Sequence, residues 1–273
     1  MPTTFTHDLF GREVYRMLPQ EEREKIRRHG RLYRIGLHGP DILFYFHLYK
    51  NRVNQHGVNM HQEIARPFLE RGLRRAHDEG DEALFVYLLG FVCHFLLDST
   101  CHPYIYSIES EVSHTLIEKE LDRLLMEKDG KDPFVSRPSC CIQPDRKTAR
   151  TIQKVFPEFS PLTIYRSLCM MKRTTNLMIY RNSWRQRLLV AALKACGQGK
   201  LSEHIMRKEK DPSLDPYLNR LRTLYETAKS DAPDLLKSVS VCAKTLEPLP
   251  ARFDRNYKYL GCNFTRAHAL IPG

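Results

Sequence analysis

Within the apolar stretch Tyr87-Leu-Leu-Gly-Phe-Val-Cys-His94-Phe-Leu-Leu-Asp98-Ser-Thr-Cys-His102-Pro, a histidine, an aspartate and a second histidine recur at every fourth residue. On an α-helix that spacing stacks the three side chains on one face. His114 and Glu118 repeat it shortly afterwards. A helix as apolar as Ala83 to Leu97 buries nearly all of its surface. An imidazole or a carboxylate inside it costs several kcal/mol unless it is paired or bound to metal. Such i, i+4 pairs also occur as plain contacts on helix surfaces, but Phe91, Phe95 and Leu97 leave no polar surface here. The chain is therefore confined to folds in which two helices turn His/carboxylate pairs inward. The fold class is all-α: a multi-helix bundle with a polynuclear metal site in its core.

The remaining patterning agrees. Helical periodicity dominates, and no segment sustains the period-two alternation of a strand. Asp8 to Leu18 reads as a short helix, and Pro19-Gln20-Glu21-Glu22 opens the next. Gly36-Leu-His38-Gly39-Pro40-Asp41 is a break, after which Asp41 is placed to cap a helix from Ile42 to Tyr49. Asn51 to Asn59 reads as a loop, Met60 to Glu79 as a long amphipathic helix kinked at Pro67, and Glu82 to Asp98 as the buried helix. Further helices are expected over Glu109–Glu127, Asp145–Val155, Pro161–Tyr180, Asn182–Cys196, Leu214–Ser230 and Ala232–Cys242. Lys128 to Gln143, with Gly130, Pro133 and Pro138, is loop-like. Without repeats or long linkers, residues 1–273 read as a single domain. Its metal site falls in 1–125, a helical buttress in 145–245 and a C-terminal tail in 246–273.

The net charge of +11 favours anionic partners: a phosphate ester, nucleic acid or an anionic membrane surface. The N-terminus shows no basic region followed by an apolar one, and the apolar run Ala83–Leu97 is too short to be a transmembrane segment. Eight cysteines form no CxxC pair, and Cys140 and Cys141 are adjacent, unlike a secreted disulfide framework. A cytoplasmic setting with reduced thiols is expected. Cys93 and Cys101 flank the cluster and read as packing residues.

The candidate metal ligands are His7, Asp41, His61, His94, Asp98, His102, His114 and Glu118. Five imidazoles and three carboxylates suit two or three zinc ions. His56, five residues before His61, is an alternative to it; His38, His47 and His77 read as surface or supporting residues. A zinc cluster with open positions acidifies bound water and stabilises both oxygens of a displacement at phosphorus.

These residues resemble, in order, the zinc-dependent phospholipase C family, whose fold is shared with fungal single-strand-specific zinc nucleases. The features are Phe5-Thr-His7, Gly39-Pro40-Asp41, His61, the Tyr87-to-Pro103 block and His114-x3-Glu118, all within residues 1–125. The resemblance implies Asp41, His61 and His94 on one zinc, and His102, His114 and Glu118 on a second. His7 and Asp98 are implied on a third, and Asp41 is implied as the catalytic general base. In secreted members a mature N-terminal Trp completes the third site; here the single Trp is Trp184 and the chain begins Met1-Pro2. The third zinc thus depends on an altered N-terminus. Ile42 replaces the aromatic residue of a choline-recognising site, so phosphocholine specificity is not implied.

The expected function is a zinc-dependent phosphoesterase, phospholipase C-like, that hydrolyses a phosphodiester with metal-activated water. Its partners are a phosphate-ester substrate such as a phospholipid, with peripheral contact to an anionic membrane. One alternative is a single-strand nuclease of the same fold, which would need base-stacking aromatics near the metals. Another is a non-catalytic, metal-stabilised scaffold that binds lipid or protein, which would show a closed metal site. The aromatic run Phe44-Tyr45-Phe46-x-x-Tyr49 reads as core.

Overall fold

The computed structural model describes residues 4–258, apart from positions 48, 180, 181, 196, 198–201, 203, 204 and 208. The α-helices are α1 (Thr4–Met17), α2 (Gln20–Arg28), α3 (Gly30–Gly36), α4 (Arg52–Met60), α5 (Ala65–Asp78), α6 (Glu82–Ser107) and α7 (His114–Lys128). They continue as α8 (Arg146–Gln153), α9 (Pro161–Leu177), α10 (Ser183–Ala195) and α11 (Asp215–Thr245). Short 3-10 segments cover Gly39–Tyr45, Pro138–Cys141, Pro212–Leu214 and Ala251–Asp254. No strand occurs among the described residues, so the protein is all-α.

Helix α6 is the axis. The Asp81 side chain accepts the Leu84 N–H at its start, and every residue from Val86 to Ser99 is buried. It is apolar all round because α1, α3, α5 and α11 pack about it. It is long and apolar enough to cross a bilayer, yet its apolar stretch is buried within the protein, as in a core helix. Gly36 and Gly90 let α3 and α6 touch backbone to backbone. A Cβ on Gly36 would lie 2.2 Å from the Tyr87 carbonyl oxygen, and one on Gly90 2.2 Å from that of Tyr33. Buried apolar side chains from Phe5 to Tyr257 form one continuous core.

Several boundaries differ from the periodicity reading. Asp41 caps no α-helix; it lies inside the 3-10 segment, and its carboxylate turns toward histidines. Asn51–Asn59 is mostly helix: Asn51 accepts the Val53 and Asn54 N–H groups, and Asn54 closes a capping box on the Asn51 N–H. The expected helix over 60–79 is shorter, because α4 ends at Met60 and α5 covers only Ala65–Asp78. Pro67 therefore sits in the first turn of α5, where its missing N–H has no helical partner to lose and imposes no kink. Helix α6 runs past Asp98 through Pro103 to Ser107, since burial of Cys101 and Ile105 offsets the lost hydrogen bond. Helix α7 begins at His114, five residues later than Glu109. The two helices expected across 214–242 are one, α11, which continues through Pro233. Its buried stripe Leu221, Tyr225, Ala228, Ala232, Leu236 and Val239 keeps helical spacing across the proline. Tyr180 and Cys196, expected helix ends, lie outside the described residues.

The stretch read as a tail is folded back as far as Lys258. Leu249, Phe253 and Tyr257 are buried in the core. Arg66 of α5 donates to the Leu249 and Pro250 carbonyls and to the Asp254 carboxylate. Arg252 donates to the Thr100 hydroxyl of α6 at 2.7 Å.

Candidate metal centre

All eight candidate ligands converge, from five separate pieces of chain. His7 comes from the first turns of α1, held there because Asp122 of α7 accepts both the Thr6 N–H (2.9 Å) and the Thr6 hydroxyl (2.7 Å). The neighbouring Asp8 carboxylate takes two hydrogen bonds of 2.8 Å from Arg34, tying α1 to α3. Asp41 arrives on the 3-10 segment, which the left-handed Gly39 (φ 47°) starts. A Cβ on Gly39 would meet the His94 ring at 2.2 Å, so only glycine admits this approach. His61 lies just after α4. His94, Asp98 and His102 come from α6, and His114 and Glu118 from the first turns of α7.

Three groups have ligand atoms close enough to share an ion: His7 with Asp41 and His94; His61 with His94 and Asp98; and His102 with His114 and Glu118. The third group matches the second zinc implied by the resemblance. In it, Glu118 Oε1 lies 3.3 Å from His102 Nε2 and 3.1 Å from His114 Nε2. The other two groups overlap. Asp98 Oδ1 is 3.2 Å from His7 Nε2, while its Oδ2 is 3.2 Å from His94 Nε2, 3.7 Å from His61 Nε2 and 3.6 Å from His102 Nδ1. Asp41 Oδ1 stands 3.0 Å from His61 Nε2, and Asp41 Oδ2 3.8 Å from His94 Nε2. Asp98 thus faces the His94 side of the cluster as well as His7.

Supporting hydrogen bonds choose the ligand atoms. His61 Nδ1 donates to the Gly57 carbonyl at 2.8 Å, and His102 Nδ1 to the Tyr257 carbonyl at 2.9 Å. A carbonyl only accepts, so each ring is held with its Nε2 toward the carboxylates, as second contacts hold metal-bound imidazoles. The Tyr257 contact has no signal in the sequence around His102.

The donor set fits a cation. Both oxygens of Asp41, both ring nitrogens of His94 and Nδ1 of His7 are buried without hydrogen-bond partners among the described residues. Buried polar atoms are rarely left so. Burial favours the neutral Asp98 carboxyl, but the His102 and His94 rings outweigh it and hold the group well below the usual carboxylate range. Burial likewise opposes the Glu118 carboxylate, and His114 and His102 hold its carboxyl low. On the imidazole side, burial lowers His7, while Asp98 more than reverses this and raises it.

The other candidates fall elsewhere. His56 is not in the cluster: its Nε2 lies 2.9 Å from Glu158 Oε1 and its ring packs on Phe156 and Phe159. His77 is exposed beside Asp78, and His47 is half-buried in a left-handed conformation (φ 59°). His38 is fully buried rather than superficial, 3.3 Å from Cys141 Sγ; burial, with His7 nearby, pushes its imidazole down to about 3. Burial pushes the Cys93 thiol up to about 12 and raises the Cys101 thiol too, which leaves both neutral packing groups. Residues 1–3, on which a third site would draw, lie outside the described residues. Of the aromatic run, Tyr45 is core, Tyr49 is exposed, and Phe44 stacks on His61 with ring centroids 5.2 Å apart.

The cluster opens on a pocket of about 420 Å³. Asp41, His61, Asp98, His102, His114 and Glu118 line it, with Phe44 and Val58 as an apolar wall and Tyr106 and Lys258 also lining it. His7 and His94 do not line it.

The family model described as zinc dependent phospholipase C matches residues 6–208, far beyond the motif-bearing first 125 residues. No curated protein and no solved structure matches the chain. With a match over most of its length and the converging His/carboxylate cluster, the chain belongs to the zinc-dependent phospholipase C family.

Proposed function

We propose that the protein is a phospholipase C-like phosphoesterase that hydrolyses a phosphodiester, with zinc as cofactor and water as nucleophile. One observation carries this reading: six of the eight candidate ligands face an open pocket. Purely structural zinc sites are closed by protein ligands, whereas catalytic ones keep access to solvent and substrate. Bound zinc supplies Lewis acidity toward a phosphoryl oxygen and makes water acidic enough to attack.

The chain's own residues supply the rest. Asp41 lies at the pocket with neither carboxylate oxygen hydrogen-bonded, which supports it as the group that accepts a proton from the attacking water. The carbonyl-held rings of His61 and His102 keep the cluster's geometry fixed during reaction. The Lys258 ammonium, 5.3 Å from the Tyr106 ring centroid, brings positive charge to the pocket and suits an anionic substrate. Phe44 and Val58 suit its apolar part.

The test combines zinc content by elemental analysis with hydrolysis of bis-p-nitrophenyl phosphate, phospholipid micelles and single-stranded DNA. The expected result is zinc in the purified protein, chelator-sensitive turnover and diacylglycerol release from phospholipid. His94→Ala and His114→Ala should lower turnover roughly 100-fold or more, the scale on which losing a transition-state charge partner acts, with helical circular dichroism kept. Cleavage of DNA but not of lipid would replace this reading with a nuclease. Zinc-loaded protein inert on all three substrates would replace it with a scaffold.

A further inference from the structure

Helix α10, Ser183-Trp-Arg-Gln-Arg-Leu-Leu-Val-Ala-Ala-Leu-Lys-Ala195, has no buried side chain among its described residues. A helix of this length is marginal in water without packing. Its outward face is not polar, as a solvent-facing helix requires. Trp184, Leu188, Ala191 and Ala195 follow i, i+4, i+7, i+11 spacing and are all exposed, Trp184 by 56% and Leu188 by 60%. The opposite side, with Leu189, Val190 and Leu193, is half-buried. Arg185 borders the outward stripe on one edge, and Arg187 and Lys194 border it on the other. The helix holds no acidic residue.

We infer that this stripe is a membrane-docking face, which lies in the headgroup–acyl boundary of an anionic phospholipid surface. The arrangement matches an interfacial helix: an apolar stripe with an aromatic anchor, and cations along both edges. Trp favours the boundary because its ring is apolar and its N–H is polar. The stems of Arg185, Arg187 and Lys194 cover apolar surface while their charged ends reach headgroup phosphates on either side. The whole-chain charge of +11 adds long-range attraction to the same surface. The inference rests on the phospholipid reading of the pocket, and it names the surface that would bring the protein to its substrate.

Trp184 is the only Trp in the chain, so its fluorescence reports on this face alone. The full-length protein is titrated with phosphatidylcholine vesicles, with and without phosphatidylserine. Serine-lipid vesicles should shift the emission to the blue, and brominated acyl chains should quench it. Arg185→Gln, Arg187→Gln and Lys194→Gln combined should weaken partitioning about 100-fold, from the loss of three cations at an anionic surface. Leu188→Ser should weaken it with every cation in place. Turnover of soluble bis-p-nitrophenyl phosphate should be unchanged in all these variants. Emission indifferent to anionic vesicles while that turnover persists would overturn the docking face and leave the reaction standing. A blue shift that follows protein concentration without lipid would overturn it in favour of self-association. A vesicle response retained in protein with no phosphodiester turnover would uphold the face and sink the reaction.

Discussion

His102 shows how one side chain can be set for metal by its two neighbours. Its Nδ1 donates to the Tyr257 carbonyl, so Nε2 is the atom 3.3 Å from Glu118 Oε1. A bare nitrogen and a carboxylate oxygen repel at that distance, so a proton or a cation lies between them. Burial works against the proton, but Asp98 and then Glu118 push the imidazole up to about 9 from an ordinary 6.5. A raised folded-state pKa contributes stability that is complete below 6.5 and lost as the pH rises through about 9. Zinc must displace that proton, so its binding tightens over the same interval. The melting-temperature gap between zinc-loaded and chelator-treated protein should therefore widen from pH 6.5 to 9. Calorimetry in buffers of different ionisation enthalpy should also show proton release on zinc binding at neutral pH. A gap that narrows over this range contradicts the assignment. At this scale the candidate ligands on α6 and α7 were legible because helical spacing is local. Which of His56 and His61 joins the cluster was not, since His56 lies in α4 and His61 just after it, and only tertiary contacts to Asp41 and Asp98 separate them.

The elements hold the cluster by close packing as much as by hydrogen bonds. The α3–α6 crossing at Gly36 and Gly90 puts main chain against main chain. Gly90→Ala would drive a methyl into the Tyr33 carbonyl, so the helices must part, at a cost of about 3 kcal/mol or more. Zinc content should fall with it, because α6 carries three of the candidate ligands. Gly30→Ala is the control: nothing lies within 4 Å of a Cβ there, and the change should be neutral or stabilise by up to about 1 kcal/mol. Urea unfolding of the two variants checks both, and equal effects would show that the crossing is not the cause. Periodicity found α6, whose apolar run is unmistakable, and missed α4. The latter buries only Val53, Gly57 and Met60, too few apolar positions to mark a period. Its capping box at Asn51 and Asn54 carried the only signal.

Across the whole molecule, α1 and the segment 249–258 meet at α6, where His7 and Tyr257 both pack against the His94 ring. Tyr257 is buried, with its ring centroid 5.2 Å from His61 and 5.9 Å from His94, and its hydroxyl has no hydrogen-bond partner among the described residues. Tyr257→Ala should cost about 3–5 kcal/mol by leaving a cavity beside the cluster. Tyr257→Phe should be neutral or slightly stabilising, because it removes a buried unpaired hydroxyl. His102 keeps its contact in both variants, since that bond uses the main-chain carbonyl. Denaturant titration separates the outcomes; a Phe variant as unstable as the Ala variant would mean that the hydroxyl holds a contact. The sequence by itself determined the helical class, the inward-facing pairs on α6 and α7 and the fit of that donor set to a metal ion, because helical period and ligand chemistry are local properties. Tertiary structure alone decided that Asp41 turns to the cluster instead of capping a helix, that Asp98 faces several histidines at once, and that Tyr257 and Lys258 reach the site. Such choices rest on contacts like that of His102 with Tyr257, 155 residues apart, where no local pattern reports which segments will meet.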